Sequence, residues 1–133
     1  MFLNNLSEEQ QQAFLKIVHE FVNVDGVEPE EEALMETYCR ETGLSTDDVA
    51  EQPVPQLLSL FETRRSRVSM MLELIGLGHI DQDFSENEQE YLRRFLEEFG
   101  WAESEFDILE NWVLREIALM QDADELMESP QLQ

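Results

Sequence analysis

The sequence predicts an all-α protein: a single helical bundle of about seven helices with an internal pseudo-twofold repeat. Apolar residues recur every three or four positions along most of the 133-residue chain, which is the spacing of a buried helix face. No stretch alternates apolar and polar residues with a β-branched bias, so strands are not indicated. The five glycines and four prolines lie mainly at the ends of the apolar stretches, where helices begin or stop.

The first part of the chain contains two clear helices. Ser7, with Gln10 three residues later, forms a capping-box pattern that predicts a helix start. Gly26 predicts the end of this helix, because glycine past a helix end adopts a left-handed backbone at little cost. Pro29 suits the first turn of the second helix, which we expect to end at Gly43.

Two short helices and a longer one are expected next. Residues 45–48, Ser-Thr-Asp-Asp, can cap a short third helix that ends at Pro53. Pro55 can begin a fourth helix. Ser66 or a near neighbour starts a fifth, and the glycines up to Gly78 mark its end.

The last two helices are predicted to be long. Ser85 with Glu88 is a second capping box, and Gly100 marks the end of that helix. Ser104 is the expected N-cap of the final helix. The apolar pattern decays after about Asp122, so residues 122–133 are expected to form a frayed tail.

Residues 1–133 are expected to form one domain built from two similar halves, at about 7–63 and 66–121. Throughout the second helix of each half, matched residues of the two halves are separated by the same number of residues. Before the acidic turn, this separation is one residue shorter. The matched pairs include Val18 with Leu74, Asp25 with Asp81, Met35 with Leu92, and Gly43 with Gly100. The change in separation falls in a turn, where insertions are tolerated.

The formal charge of the chain is −23, from 31 acidic and 8 basic residues. Phosphate backbones and anionic membrane surfaces repel such a chain, so nucleic-acid binding is excluded and membrane binding is disfavoured. Its apolar stretches are too short to span a membrane. Because 42% of the residues are hydrophobic, the chain is not a disordered acidic tail. The expected partner is a protein with a basic surface.

The predicted compartment is the cytoplasm. The first residues lack the basic and apolar regions of a signal peptide, and the single cysteine, Cys39, forms no internal disulfide.

Two acidic turns hold the candidate metal ligands, which are Asp25 and Glu31 in the first turn and Asp81 and Glu88 in the second. In each turn an aspartate follows one helix, a hydrophobic residue plugs inward, and a glutamate lies in the first turn of the next helix. Clustered carboxylates suit Ca²⁺ or Mg²⁺. The alternative is that these acids only cap helices. Neither turn is an EF-hand loop, because Leu92 stands where the bidentate glutamate is required.

These turns also carry a family resemblance. Residues 21–31 run from an apolar helix into Asp-Gly, a hydrophobic residue and a Pro-Glu-Glu helix start, and a degenerate copy begins at Ile80. Gly-hydrophobic bends occur at 43–44 and 100–101. Over about residues 7–121 the chain resembles the TerB-like family, named for the tellurite-resistance protein TerB and including the N-terminal domain of the DjlA co-chaperones.

The resemblance implies a bundle of about seven helices with internal pseudo-symmetry and acidic turns that bind metal. Asp25, Glu31, Asp81 and Glu88 are the positions that match the family motif. It also implies a role in stress response or as an interaction module. The chain has no His-Pro-Asp motif, so the resemblance does not extend to a J domain.

A non-enzymatic binding module is the function that the sequence favours. Zinc-protease, nucleotide-binding and nucleophile-elbow motifs do not occur. Two alternatives remain open, which are a metal-dependent hydrolase at the turn carboxylates and an acidic mimic of nucleic acid. The basic run at 64–67 is expected to pair with the acidic surface, or else to hold an anionic group.

Overall fold

A computed structural model describes residues 2–24, 29–44, 53–79 and 84–128, and for 29–32, 34 and 35 it describes the backbone alone. In these residues all regular structure is helical, which confirms the all-α class. Six α-helices follow a short 3₁₀ turn at Leu3–Asn5; they are α1 (Glu8–Val22), α2 (Pro29–Thr42), α3 (Val54–Leu58), α4 (Arg64–Gly78), α5 (Glu86–Phe99) and α6 (Glu103–Glu128). The predicted short helix capped at 45–48 lies outside the described residues.

Side chains cap the first helix of each half. Ser7 Oγ accepts from the backbone N–H of Gln10 at 3.2 Å, and the Gln10 side chain accepts from the Ser7 N–H, as predicted. In α4 the same box is formed by Thr63 and Ser66. Thr63 is therefore the N-cap, and Ser66, the predicted start, is the third residue of the helix.

Two pairs of helices, α1 with α4 and α2 with α5, have matching lengths and ends. Helices α1 and α4 both have 15 residues, and α2 and α5 both have 14. Asn23 and His79, which follow α1 and α4, share the same backbone angles of φ −94° and ψ 1°. Gly43 and Gly100, which follow α2 and α5, have φ of +72° and +70°, a conformation that favours glycine.

The core lies around α1 and α4. Helix α4 is buried on most of its circumference because Met70, Met71, Leu74 and Ile75 have no exposed surface. It packs against α5, α6 and the 3₁₀ turn, whereas α1 packs against α2 and α3. Five phenylalanines with no more than 1% exposure fill the space between these helices: Phe14, Phe21, Phe61, Phe95 and Phe106.

Helix α6 differs from the sequence prediction at both ends. It begins at Glu103, and the N–H of Glu105 already bonds to the carbonyl of Ala102 at 3.0 Å. Ser104 is thus inside the first turn, and its assignment as N-cap was wrong; acidic residues at 103 and 105 favour the earlier start. At the other end the helix continues to Glu128, past the decay of the apolar pattern at about Asp122. None of the described helices is long and apolar enough to cross a membrane.

Candidate functional site

The second acidic turn is anchored by Phe84, which precedes α5. Its ring centroid lies 6.4 Å from that of Phe21, 6.3 Å from that of Phe106 and 4.9 Å from that of His79. Gly78 makes this packing possible, because a Cβ atom at that position would lie only 2.6 Å from the Phe84 ring. The predicted inward plug of the second turn is therefore present.

Glu88 serves as the cap of α5. The backbone N–H of Ser85 donates to Glu88 Oε1 at 3.0 Å, and the N–H of Glu88 donates to Ser85 Oγ at 3.1 Å. The predicted capping box is confirmed, and Glu88 is only 4% exposed. Its carboxylate satisfies a backbone donor that would otherwise lack an intrahelical partner.

The structure brings none of the four predicted metal ligands together within its described part. Asp25 and Asp81 lie outside that part, and so does the side chain of Glu31, whose backbone belongs to α2. Glu88 is described, and its carboxylate acts as a cap. Residues 2–24, 33, 36–44, 53–79 and 84–128 contain no group of three His, Cys, Asp or Glu side chains placed to hold a metal ion. A cation at these turns stays a prediction.

His79, the histidine beside the second turn, pairs with α6. Its Nε2 lies 3.2 Å from Glu110 Oε2, and its ring packs edge-on against Phe84. The histidine follows the end of α4, where its backbone N–H bonds to the carbonyls of Ile75 and Gly76. These contacts join α4, the second turn and α6.

A buried tyrosine and a half-buried carboxylate link the two halves of the chain. Tyr38 of α2 donates its hydroxyl hydrogen to Glu73 Oε2 of α4 at 2.9 Å, and the backbone N–H of Phe2 donates to Glu73 Oε1 at 2.7 Å. Burial raises the pKa of the Tyr38 hydroxyl well above its usual range, and the charge and hydrogen bond of Glu73 raise it further.

A second pair links the halves in the opposite direction. Tyr91 of α5 donates to Glu20 Oε2 of α1 at 3.2 Å. Its pKa is also raised, first by burial and then by the Glu20 carboxylate. Neither pair could be predicted from the sequence, because each tyrosine is far from its glutamate in the chain and no local pattern connects them.

A cleft of about 170 Å³ lies beside the Tyr38–Glu73 pair. Phe2, Leu72 and Gly76 form part of its wall, and Glu116 of α6 contributes a second carboxylate. Carboxylate oxygens beside apolar side chains suit a ligand group that is cationic at one end.

The basic residues at the junction between the halves make intramolecular contacts. Arg64 forms an ion pair with Glu105 at 3.0 Å. Arg67 Nε donates to the carbonyl of Phe61 at 2.7 Å, and its guanidinium lies 4.8 Å from the centroid of the Phe99 ring. Arg64 and Arg67 of the basic run therefore make contacts within the folded chain.

Other described arginines are used in the same way. Arg65 donates to Asn5 Oδ1 through two nitrogens, at 2.7 and 3.1 Å. Arg93 lies 5.1 Å from the centroid of the Phe106 ring and 3.7 Å from Glu103 Oε2. These four arginines therefore make contacts within the fold, while most of the acidic side chains that the structure describes are exposed.

The C-terminal part of α6 extends beyond the core. The last buried residue of this helix is Val113, and from Ala118 to Glu128 its side chains are exposed except for the half-buried Ala123. The exposed side chains include four large apolar ones, which are Leu119 (68% exposed), Met120 (59%), Leu126 (60%) and Met127 (79%). Exposed apolar groups at helical spacing are typical of an interaction surface.

Comparisons of the chain with protein-family models, with curated proteins and with solved structures found no match. The contacts and charges of the chain itself therefore carry the functional proposal.

Proposed function

We propose that this protein is a non-enzymatic, acidic binding module that docks a partner protein with a basic surface. The observation that carries the proposal is the distribution of charge. Most of the 31 acidic residues have no basic counterpart among the 8 lysines and arginines, and the described arginines at 64, 65, 67 and 93 are engaged within the fold. The outer surface therefore carries a large uncompensated negative charge.

Such a surface attracts basic partners and repels nucleic acids and anionic lipids. Long-range attraction between opposite charges accelerates association, and this effect weakens as salt is added. The exposed apolar side chains of α6 would stabilise the bound complex, because burial of apolar area on binding is favourable.

The TerB-like assignment belongs to this proposal, together with a cytoplasmic role in stress response. The helix bounds support the internal repeat that the family resemblance implies. The first residues of α1 and α4 are separated by the same number of residues as their last residues. The same is true of α2 and α5. The seventh helix of the proposed bundle is the short one predicted from the capping residues at 45–48, outside the part of the chain that the structure describes.

A divalent cation at the acidic turns is the second candidate function. It is favoured by the repeated order of aspartate, hydrophobic plug and glutamate, of which the plug at Phe84 is in place. Calorimetric titration of metal-free protein with Ca²⁺, Mg²⁺, Mn²⁺ and Zn²⁺ tests it. Binding that is lost when Asp25→Ala is combined with Glu31→Ala would support the site, and unchanged binding would remove this turn.

The main proposal is tested by identifying the proteins that the native chain retains from cytosol, with and without chelator, and then measuring binding with purified components. We expect a partner with a basic contact surface, whose affinity falls as salt rises. Duplex DNA that competes with the chain for the same groove of that partner would identify the chain as a nucleic-acid mimic. A partner with a neutral or acidic contact surface would overturn the proposal.

A further inference from the structure

The C-terminal part of α6 forms an amphipathic surface that the bundle leaves uncovered. We use the name α6 face for Leu119, Met120, Ala123, Leu126 and Met127. These residues recur at spacings of one, three and four positions, so they lie along one side of the helix. The α6 face covers two to three helical turns, about 12–16 Å, which is enough length for a second helix to lie against it.

The α6 face lies on the same side of α6 as Glu116, a residue that lines the cleft beside the Tyr38–Glu73 pair. Glu116 lines that cleft, and Met120, Ala123 and Met127 follow it at intervals of four, three and four residues. Residues at these intervals share one side of a helix. A ligand that lies along α6 would therefore reach both the apolar residues and the carboxylate of the cleft.

Acidic residues border the α6 face on its flanks. Residues 116–133 contain five acidic residues and no lysine, arginine or histidine. Asp122 and Asp124 are exposed on the two sides of the apolar residues, and the exposed Glu125 and Glu128 lie farther round the helix. A second copy of this chain would bring the same carboxylates against these, in addition to a charge of −23 on each molecule, so self-association through this face is opposed by repulsion.

We infer that the α6 face docks an amphipathic helix of the partner protein, with apolar residues facing α6 and lysine or arginine on its flanks. Apolar positions at helical spacing match those of a second helix, and the acidic border complements basic flanks. This inference rests on the proposed function, because it names the surface and the partner element that the acidic module uses.

The test uses a fluorescent Leu/Lys peptide about five helical turns long, with leucines on one face and lysines elsewhere. Its affinity for the full chain is measured by anisotropy. One control peptide has the same composition in scrambled order, and another has glutamate in place of lysine. The test variant combines Met120→Gln with Met127→Gln. The matched control is Leu114→Gln, which changes an exposed apolar residue on the opposite side of the same helix.

We expect the double variant to bind the amphipathic peptide at least about tenfold more weakly than native protein, and Leu114→Gln to bind within about twofold. Circular dichroism verifies that the variants keep their helices, which is expected because glutamine and methionine have similar helix propensities. Native affinity in the double variant, or equal binding of the glutamate peptide, would overturn the inference. A native dimer in sedimentation that the double variant loses would do so too, by assigning the face to a second copy.

The two proposals fail in different ways. If the scrambled basic peptide binds as well as the amphipathic one and the double variant binds both normally, the acidic module stands and the α6 face is not its docking site. If none of the basic peptides binds native protein at low salt, the proposed function itself is wrong.

Discussion

The Tyr38 hydroxyl donates a 2.9 Å hydrogen bond to Glu73, and through this bond α2 of the first half is joined to α4 of the second. Tyr38 is 4% exposed, so most of its side chain is withdrawn from water. We expect Tyr38→Phe to lower the free energy of unfolding by about 1.5–3 kcal/mol, the usual range for a hydrogen bond to a charged group. Urea denaturation measures the effect, and a loss below about 0.5 kcal/mol would show that the bond contributes little.

Both tyrosine–carboxylate pairs also predict sensitivity to alkaline pH. The pKa values of Tyr38 and Tyr91 are raised in the folded state, so their contribution to stability is complete below the unfolded value of about 10 and is lost as pH rises above it. Combining Tyr38→Phe with Tyr91→Phe removes this dependence. Unfolding free energies measured between about pH 8 and pH 11 should therefore fall more steeply for native protein than for the double variant. Parallel curves would contradict the prediction.

The close contact between Gly78 and Phe84 predicts that adding a single methyl group at Gly78 destabilises the fold. A Cβ atom at Gly78 would lie 2.6 Å from the Phe84 ring, so Gly78→Ala has to displace the ring from its place beside Phe21. We expect a loss of about 1–3 kcal/mol in unfolding free energy.

Gly76→Ala is the matched control for that change. It lies on the same helix, and no atom beyond the adjacent helix backbone is within 4 Å of the added Cβ. Because alanine favours helix more than glycine does, stability should rise by about 0.5–1 kcal/mol. Equal effects of the two substitutions would show that the Phe84 contact is unimportant.

Two substitutions of Glu88 separate its capping role from a metal-binding role. Gln10 fills the same position of the α1 box, so Glu88→Gln should keep the α5 cap and stay within about 0.5 kcal/mol of native stability. Glu88→Ala should lose about 1 kcal/mol. Calorimetry of the glutamine variant with Ca²⁺ then decides the second role. A cation affinity present in native protein and lost in Glu88→Gln would show that the carboxylate binds metal.

The charge of −23 predicts that salt stabilises the fold. Raising NaCl from about 20 mM to about 500 mM screens the repulsion between surface carboxylates, because the Debye length falls from roughly 20 Å to about 4 Å. We expect Tm to rise by about 3–6 °C, roughly the shift that 1 kcal/mol produces in a domain of this size. A Tm that falls with NaCl would show that attractive ion pairs dominate the surface.

Features fixed by neighbouring residues could be predicted from the sequence. The boxes at Ser7 and Ser85 and the ends at Gly43 and Gly100 depend on atoms within a few residues, and the structure confirms them. The start of α6 shows the limit of such patterns. Ser104 fits the N-cap preference, but the helix already begins at Glu103.

Contacts between distant parts of the chain could not be predicted from the sequence. Glu20 and Glu73 are two of 31 acidic residues, and what distinguishes them is a tyrosine brought near by packing of the two halves. The exposed side of α6 was equally hidden, because Leu119 and Met120 have the same local pattern as buried residues of the other helices. Burial is decided by what the bundle places opposite each face.

Binding of the amphipathic basic peptide to native protein as a function of NaCl tests the central claim most directly. We predict that the peptide binds at low salt and that its affinity falls by at least about tenfold between roughly 50 and 200 mM NaCl, as expected for attraction between a basic helix and an acidic surface. Affinity that does not change with salt, or the absence of binding at the lowest salt, would contradict the claim that this acidic bundle docks a basic partner.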